Sequence, residues 1–190
     1  CSHADMKPEN ILMDDAHLQA DGGQSPREDE AVRAGRFRLV DFGNAMLLEN
    51  TPLYHDNFEV QSLCYRAPEV LLGTDFGHPI DMWSFGCILA ELYTGRPLFP
   101  GENENEQLAC IMEVLGPPPA HLVSACSRRK HFFDAEGAPR ILPNTKGKVR
   151  RPASSDIMSA LGCTDVHFVS FLEGCLRWDA SERFSPEEAL

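Results

Sequence analysis

The stretch from Ile80 to Leu92 constrains the fold more than any other part of the sequence. Its apolar residues recur at helical spacing: Ile80, Met82, Trp83, Phe85, Ile88, Leu89 and Leu92. Gly95 follows where a helix would end, since glycine readily takes the left-handed conformation of a helix C-terminus. A stripe this wide must be covered on most of its sides. The sequence therefore predicts a central helix buried by the other elements.

Apolar periodicity also predicts the elements around this helix. A second helix is expected over residues 104–115 and a third over residues 166–178. A fourth is expected to begin at Ser185, where serine can act as N-cap, proline follows, and glutamate stands three residues on. Short apolar runs at 11–13 and 37–40 predict strands. The pattern indicates one mainly helical domain with short strands at one edge.

Two segments carry no sustained period. Residues 14–36, between the predicted strands, are polar, acidic and glycine-containing, which favours a flexible insertion. Residues 134–156 are rich in Pro, Gly, Lys and Arg and are expected to be irregular. Basic clusters stand at 127–131 and 146–151, and for both a solvated edge is favoured over a docking site for acidic partners.

Charge and cysteine content exclude several classes of function. A net charge of −12 disfavours a nucleic-acid binder, which normally presents a basic face. The seven cysteines include no CxxC pair, so a zinc finger is disfavoured and reduced, mostly buried thiols are expected. No apolar run is long enough for a membrane span, and the start does not resemble a signal peptide. We expect an intracellular protein of the cytoplasm, the nucleus or both, without a membrane partner.

Chemistry-bearing residues are concentrated in four ordered stretches. These are "HADMKPEN" (3–10), "DFG" (41–43), "YRAPE" (65–69) and "DMWSFG" (81–86). Taken singly, each is more typical of a turn or a strand end than of an active site. In this order they resemble the eukaryotic protein kinases from the catalytic loop onward. The resemblance extends over essentially the whole chain.

The resemblance implies a protein-kinase-like α+β fold, represented here by the mainly helical C-terminal lobe. A kinase also needs a Gly-rich loop over the phosphates, a strand lysine and a helix glutamate, and none is found in residues 1–190. We therefore expect the chain to be a C-lobe without its N-lobe, truncated at both ends. We expect little or no kinase activity from this polypeptide by itself.

Phosphoryl transfer requires a positioned nucleophile and cations that neutralise the phosphates. By resemblance, Asp5 accepts or orients the proton of the substrate hydroxyl, and Lys7 contributes a positive charge near the γ-phosphate. Asn10 and Asp41 supply oxygen ligands suited to Mg²⁺. The resemblance implies ATP and Mg²⁺ as cofactors. It also implies that Glu9 belongs, with Lys7, Asn10 and Asp41, to the residues that bind them.

Other positions resemble parts of the family's architecture. Glu69 is expected to form a buried ion pair with Arg183 that holds the activation segment to the lobe. Asp81 is expected to anchor the backbone of the catalytic loop from the central helix. His3 is expected to brace that loop without a catalytic role.

Lys7, two residues after Asp5, resembles the serine/threonine-kinase pattern. The stretches "QSLCYRAPEVLLG" and "CLRWDASERFSPEEAL" are most similar to the dual-specificity tyrosine-regulated kinases and their homeodomain-interacting relatives, in the CMGC group. Those families also lack the arginine of the usual H-R-D motif, and Ala4 fills its place here. The resemblance implies a monomer that transfers the γ-phosphate of Mg·ATP to Ser/Thr of protein substrates, with Tyr left open.

The sequence departs from the family at the activation segment. Glu59 stands where an autophosphorylated tyrosine is usual, Leu63 replaces an arginine and Cys64 an aromatic residue. One hypothesis makes Glu59 a fixed substitute for phosphotyrosine, paired with Arg66, since a carboxylate carries one charge against about −1.5 to −2 for a phosphate. The alternative is drift in a kinase that is regulated otherwise or inactive. Both remain open at this point.

Two other classes of function compete with an active kinase. A non-catalytic kinase-like scaffold would bind partners through its helical lobe, but it would not need Asp5, Lys7, Asn10 and Asp41 together. An unrelated acidic interaction domain does not account for the ordered motifs.

Overall fold

The computed structural model describes residues 1–14, 36–54 and 59–190. The insertion predicted over residues 14–36 begins and ends in two strands, and its remainder, 15–35, lies outside the described residues. The strands β1 (Ile11–Asp14) and β2 (Arg36–Leu39) pair antiparallel. They match the predicted strands to within one residue at each end.

Helices follow the strands along the described chain. They are α1 (Pro68–Leu72), α2 (Pro79–Thr94), α3 (Glu104–Leu115), α4 (Ala120–Ala125), α5 (Arg129–Phe132), α6 (Ile157–Leu161) and α7 (Val166–Cys175). Short 3-10 turns occupy Pro8–Asn10, Phe42–Asn44, Leu48–Tyr54, Leu63–Tyr65 and Ala180–Glu182. The result is a mainly helical lobe with a two-stranded sheet at one edge, as the sequence pattern predicted.

Helix α2 is the centre of the core, as its apolar stripe predicted. Ile80 and Trp83 are fully buried, and the Trp83 ring stacks on Phe99 with centroids 5.6 Å apart. Gly95 ends the helix with φ +74°. The prediction was wrong for Leu92, which is 68% exposed because no described element covers that side of the last turn.

Close contact between α2 and α7 depends on glycine. A Cβ placed on Gly86 would lie 2.9 Å from the Cβ of Cys175, so only a residue without a side chain lets the two helices approach this closely. Helix α7 ends at Cys175, three residues before the predicted end at Trp178. At that end, Gly174 packs against the ring of Phe184, to which a Cβ at Gly174 would be 2.0 Å away.

The predicted fourth helix is only a turn. Its capping interactions form, because Glu188 N donates to Ser185 Oγ (3.3 Å) and Ser185 N donates to Glu188 Oε2 (2.8 Å).

Five of the seven cysteines are buried and all seven are free thiols. Among the described residues, no helix is long and apolar enough to cross a membrane. Large apolar side chains are exposed around the two strands and the segment after them: Leu12, Met13, Phe37, Leu39, Phe42, Leu47, Leu48 and Leu53.

Candidate active site

The loop formed by residues 3–10 is fixed to the start of helix α2. Asp81 accepts hydrogen bonds from His3 N (2.6 Å) and Ala4 N (2.9 Å), one on each carboxylate oxygen. His3 Nε2 lies 2.9 Å from Val40 O, and its Nδ1 accepts from Asp5 N at 3.4 Å. This pattern fits a neutral imidazole protonated on Nε2. The structure thus gives Asp81 and His3 the anchoring contacts that the sequence analysis assigned them.

Ala4 turns the loop toward the activation segment. It is 1% exposed and has φ +64°, a left-handed conformation that is uncommon for a residue with a side chain. Its carbonyl oxygen accepts from Gln61 N at 3.1 Å. The backbone next to Asp5 is therefore joined directly to residue 61.

Asp5 is held on both carboxylate oxygens. Its Oδ2 accepts from Lys7 Nζ at 2.8 Å. Its Oδ1 accepts from the backbone N–H of Ser62 (3.1 Å) and from the Ser62 hydroxyl (2.8 Å). The carboxylate therefore has one orientation, fixed jointly by its own loop and by the activation segment.

These contacts set the charge state of the pair. Burial alone would raise the pKa of Asp5, but the hydrogen bonds from Lys7 and Ser62 outweigh it and hold that pKa below its ordinary value. The hydrogen bond to Asp5 raises the pKa of Lys7 against a smaller opposing effect of burial. Both groups are therefore charged at neutral pH.

Asn10 and Asp41 meet at the same end of the strand pair. Val40 N donates to Asn10 O at 3.0 Å, continuing the β1–β2 ladder. Asn10 Nδ2 donates to Asp5 O at 2.9 Å. Asp41 has φ +62°, and its Oδ1 accepts from Gly43 N at 3.4 Å. Asp5, Asn10 and Asp41 are therefore brought to one edge of the lobe.

The donor set at this edge fits Mg²⁺. Because the Asn10 amide uses its nitrogen to hold Asp5 O, its Oδ1 remains an oxygen ligand, and the exposed Asp41 offers a carboxylate. Within the described ranges, no cluster of three or more His, Cys, Asp or Glu would hold a metal by itself. Glu9 lies exposed in the turn Pro8–Asn10.

Gln61 organises the activation segment. It is 4% exposed, with φ +65°. Its Nε2 donates to Ser84 Oγ (2.7 Å) and Ile80 O (2.9 Å), and its Oε1 accepts from Ala67 N (2.9 Å). The amide thus fastens residues 61 and 67 to helix α2, which positions the neighbouring Ser62 on Asp5.

Arg66 has a carboxylate partner that the sequence analysis did not name. Its Nε donates to Val60 O at 2.9 Å, and its Nη1 lies 3.3 Å from Glu104 Oε1. Burial lowers the pKa of Arg66, and the charges of Glu104 and Glu59 oppose that shift. The pairing of Glu59 with Arg66, and the phosphotyrosine-like role of Glu59, stay predictions.

Glu104 lies between two arginines. Besides Arg66, it accepts hydrogen bonds from both terminal nitrogens of Arg128. The hydrogen bond from Arg128 outweighs burial and holds the pKa of Glu104 below its ordinary value. The first turn of α3 is in this way tied to the activation segment.

Glu69 and Arg183 form a two-pronged ion pair. Arg183 Nη1 lies 2.6 Å from Glu69 Oε1, and Nη2 lies 2.6 Å from Oε2. The residues are 4% and 5% exposed, and the guanidinium also lies over the Trp83 ring at 5.1 Å. The pair joins helix α1, which contains Glu69, to the segment after α7, which contains Arg183.

A cleft of about 520 Å³ lies between the catalytic loop and the activation segment. Asp5, Ser62, Glu59 and Arg66 all contribute to its lining. The Asp5 carboxyl group therefore borders this cleft.

Sequence reasoning missed several residues that shape this site. Ser62 and Gln61 precede the recognised "YRAPE" motif, and Ser84 is a polar residue inside the apolar stripe of α2. A buried polar residue in an apolar helix needs a hydrogen-bond partner, so Ser84 was a signal for a buried polar network. Glu104 gave no such signal, since a glutamate in a first helical turn is common.

Comparison with known proteins agrees with the resemblance to protein kinases that the sequence motifs indicate. The family model described as "Protein kinase domain" matches residues 1–190. Dual specificity tyrosine-phosphorylation-regulated kinase 2 of Drosophila melanogaster is 49% identical over 187 residues, which is 98% of this chain and 23% of that protein. The DYRK-family kinase pom1 of Schizosaccharomyces pombe is 48% identical over 98% of this chain and 15% of its own length.

Human dual specificity tyrosine-phosphorylation-regulated kinase 4 is 46% identical over 188 residues, 99% of this chain and 32% of that protein. The chain therefore spans a third or less of the length of these curated relatives.

Proposed function

The chain belongs to the protein kinase family, in its DYRK-like branch, and on that premise we propose that it carries the catalytic loop and substrate cleft of a protein serine/threonine kinase. The reaction is transfer of the γ-phosphate of ATP to a hydroxyl of a protein substrate. The observation that carries the proposal is the meeting of Asp5, Lys7, Asn10 and Asp41 at one edge of the lobe.

Each residue has a defined task in this proposal. Asp5, ionised and fixed by Ser62, accepts a hydrogen bond from the substrate hydroxyl and orients its oxygen toward the phosphate. Lys7, within 2.8 Å of Asp5, contributes positive charge beside the transferring group. Asn10 and Asp41 would hold Mg²⁺, which neutralises phosphate charge when bound.

A phosphorylation assay tests the proposal. The protein is expressed from its complete coding sequence and incubated with Mg²⁺, radiolabelled ATP and a general protein substrate, followed by phosphoamino-acid analysis. We expect label on Ser and Thr, and a loss of about 10²- to 10⁴-fold in kcat for Asp5→Asn. Glu136→Gln, which removes an exposed carboxylate outside the cleft, is the matched control and should retain full activity.

The outcomes separate a kinase from a scaffold. Asp41→Asn should abolish the Mg²⁺ dependence of nucleotide binding, whereas Asp5→Asn should leave nucleotide binding intact. A folded wild-type protein without phosphotransferase activity, or an Asp5→Asn variant as active as the wild type, would contradict the proposed chemistry. A kinase-like scaffold would then be the better description.

A further inference from the structure

A second pocket, distant from the catalytic cleft, is lined by an excess of cationic side chains. It has a volume of about 310 Å³ and lies between α3, α6, the 94–100 loop and residues 148–155. Arg96, Lys148 and Arg150 line it, and Glu113 is the one acidic residue in its lining. We call it the basic pocket. The chain as a whole has a net charge of −12, whereas the lining of this pocket has an excess of positive charge. Such a pocket attracts an anionic ligand.

The internal ion pairs of the basic pocket do not balance its charge. Glu113 contacts both Lys148, at 3.1 Å, and Arg150, so two cations share one carboxylate. Arg96 lies exposed at the rim, and within the described residues its hydrogen bonds are made by its backbone, with Thr94. When Glu113 in the lining and Glu106 beside Arg150 are both counted, the three cations keep about one positive charge in excess.

Arg150 forms ion pairs with two carboxylates. Its Nε lies 3.5 Å from Glu106 Oε1, and its Nη1 contacts Glu113 Oε2. Glu106 lies outside the lining, where it also accepts from Asn144 Nδ2 at 2.8 Å. The Arg150 guanidinium is thus held in place by two carboxylates. A preordered guanidinium loses little entropy when it binds an anion.

The rest of the lining is mixed: Pro97, Leu98, Pro100, Val114 and Ala160 are apolar, and Thr94, Cys110 and Ser155 complete it. A pocket lined by both cationic and apolar side chains suits an anionic group at the end of a short carbon stem. We propose that the basic pocket binds a phosphoserine or phosphothreonine side chain presented by a peptide segment of a partner protein. The phosphate carries about −1.5 to −2 charges and three acceptor oxygens, so it can accept from several of the cationic side chains at once, whereas a carboxylate offers one charge and two oxygens.

The position of the basic pocket separates it from catalysis. Glu104, which contacts Arg66 in the activation segment, and Glu113, in the pocket, are nine residues apart on α3, or about 14 Å along the helix. A bound phosphopeptide can therefore occupy the pocket while the catalytic cleft stays accessible. The binding proposal stands independently of the proposed kinase activity, because it requires only the fold.

The test is a binding titration on the protein expressed from its complete coding sequence. The probes are N-acetyl-phosphoserine-N-methylamide, its unphosphorylated form, the equivalent glutamate compound and inorganic phosphate, each followed by calorimetry at low and high salt. We expect saturable binding of the phosphoserine compound that weakens with salt, and weaker binding of the other three.

Variants locate the site. Arg96→Gln and Lys148→Gln should each weaken binding of the phosphoserine compound about tenfold, because each removes a charged hydrogen-bond donor. Arg151→Gln and Lys146→Gln are the matched controls, since both cations are exposed near the pocket without lining it, and they should bind as the wild type does. All four substitutions are at exposed positions, and an unchanged thermal unfolding midpoint would verify folding. Glu113→Gln removes the competing carboxylate and should tighten binding.

Three results would overturn the proposal. If the phosphoserine compound shows no saturable binding, the pocket is not a binding site. If its affinity is equal in wild type, Arg96→Gln and Lys148→Gln, it binds outside the basic pocket. Equal affinity for the glutamate compound or for inorganic phosphate would refute recognition of a phosphorylated side chain.

Discussion

Lys7 Nζ lies 2.8 Å from Asp5 Oδ2, so the two charged groups assigned to proton and phosphate contacts form an ion pair with each other. With a pKa held below its ordinary value, Asp5 is a weak base. Its contribution in the proposed reaction is therefore mainly to orient the substrate hydroxyl as a hydrogen-bond acceptor. Proton transfer to it becomes favourable only as the bond to phosphorus forms.

Replacing Lys7 by Met should raise the pKa of Asp5. The substitution removes both a hydrogen bond and a charge that lower this pKa, and the opposing effect of burial remains. An NMR titration of the Asp5 carboxyl carbon measures the change, with Lys146→Met as the control for loss of a distant lysine. A titration midpoint that is unchanged in Lys7→Met would show that Ser62 alone sets the charge state of Asp5.

Breaking the Glu69–Arg183 pair should destabilise the fold strongly. Glu69→Gln leaves a buried guanidinium without its counter-charge, which is expected to lower the free energy of unfolding by about 3–5 kcal/mol. The control is Glu182→Gln, which breaks the exposed pair with Arg177 at 3.7 Å and should cost about 1 kcal/mol or less. Urea unfolding measures both. Equal effects would contradict a special role for the buried pair.

The sequence predicted the structure correctly where a local rule applies, as at a helix end, or where a family motif is specific. Helix α3 has the predicted bounds because Asn103 caps its first turn and Gly116 ends it. The pairing of Glu69 with Arg183 came from the family resemblance, since no local rule links two residues so far apart in the chain. The contact between Arg66 and Glu104 was missed, because a glutamate at a helix start already has a sufficient local explanation there.

Acid should weaken the link between α3 and the activation segment. The pKa of Glu104 is held below its ordinary value of 4.5, first by the hydrogen bond from Arg128. A carboxyl group whose pKa is lower in the folded state stabilises the fold above its unfolded pKa, and this contribution is lost as pH falls through the folded value. The difference in unfolding free energy between wild type and Glu104→Gln should be constant above about pH 5.5 and shrink below pH 4.5.

Urea unfolding over that pH range measures the effect, and Glu136→Gln, which removes an exposed carboxylate, serves as the control. A difference between wild type and Glu104→Gln that does not vary with pH would mean that Glu104 contributes by packing and not by charge.

Gly174→Ala should destabilise the junction between α7 and the segment after it. The added Cβ would lie 2.0 Å from the ring of Phe184, so the ring or the helix must move, at a cost of about 1–3 kcal/mol. Gly77→Ala is the matched control, because its Cβ would meet Leu48 Cδ1 at an ordinary 3.5 Å. If thermal unfolding midpoints fall equally in the two variants, close packing at Gly174 is not the cause.

The elements that sequence reasoning missed share a physical origin. The positive φ of Ala4 and Gln61 is imposed by tertiary hydrogen bonds, since neither residue type favours that conformation by itself. The apolar periodicity of the sequence does not reveal residues with a positive φ, because that conformation depends on partners far along the chain. The turn at Ser185 is the converse case, in which a correct local capping signal was not sufficient to form a helix.

The backbone amides of His3 and Ala4 donate hydrogen bonds to the side chain of Asp81, which belongs to helix α2. Their protons can exchange with solvent only when Asp81 withdraws, and Asp81 stands in the first turn of the most deeply buried helix. The loop that carries Asp5 therefore belongs to the same cooperative unfolding unit as the core, although it lies at the edge of the lobe. A local opening of the core at α2 would release the catalytic loop at the same time.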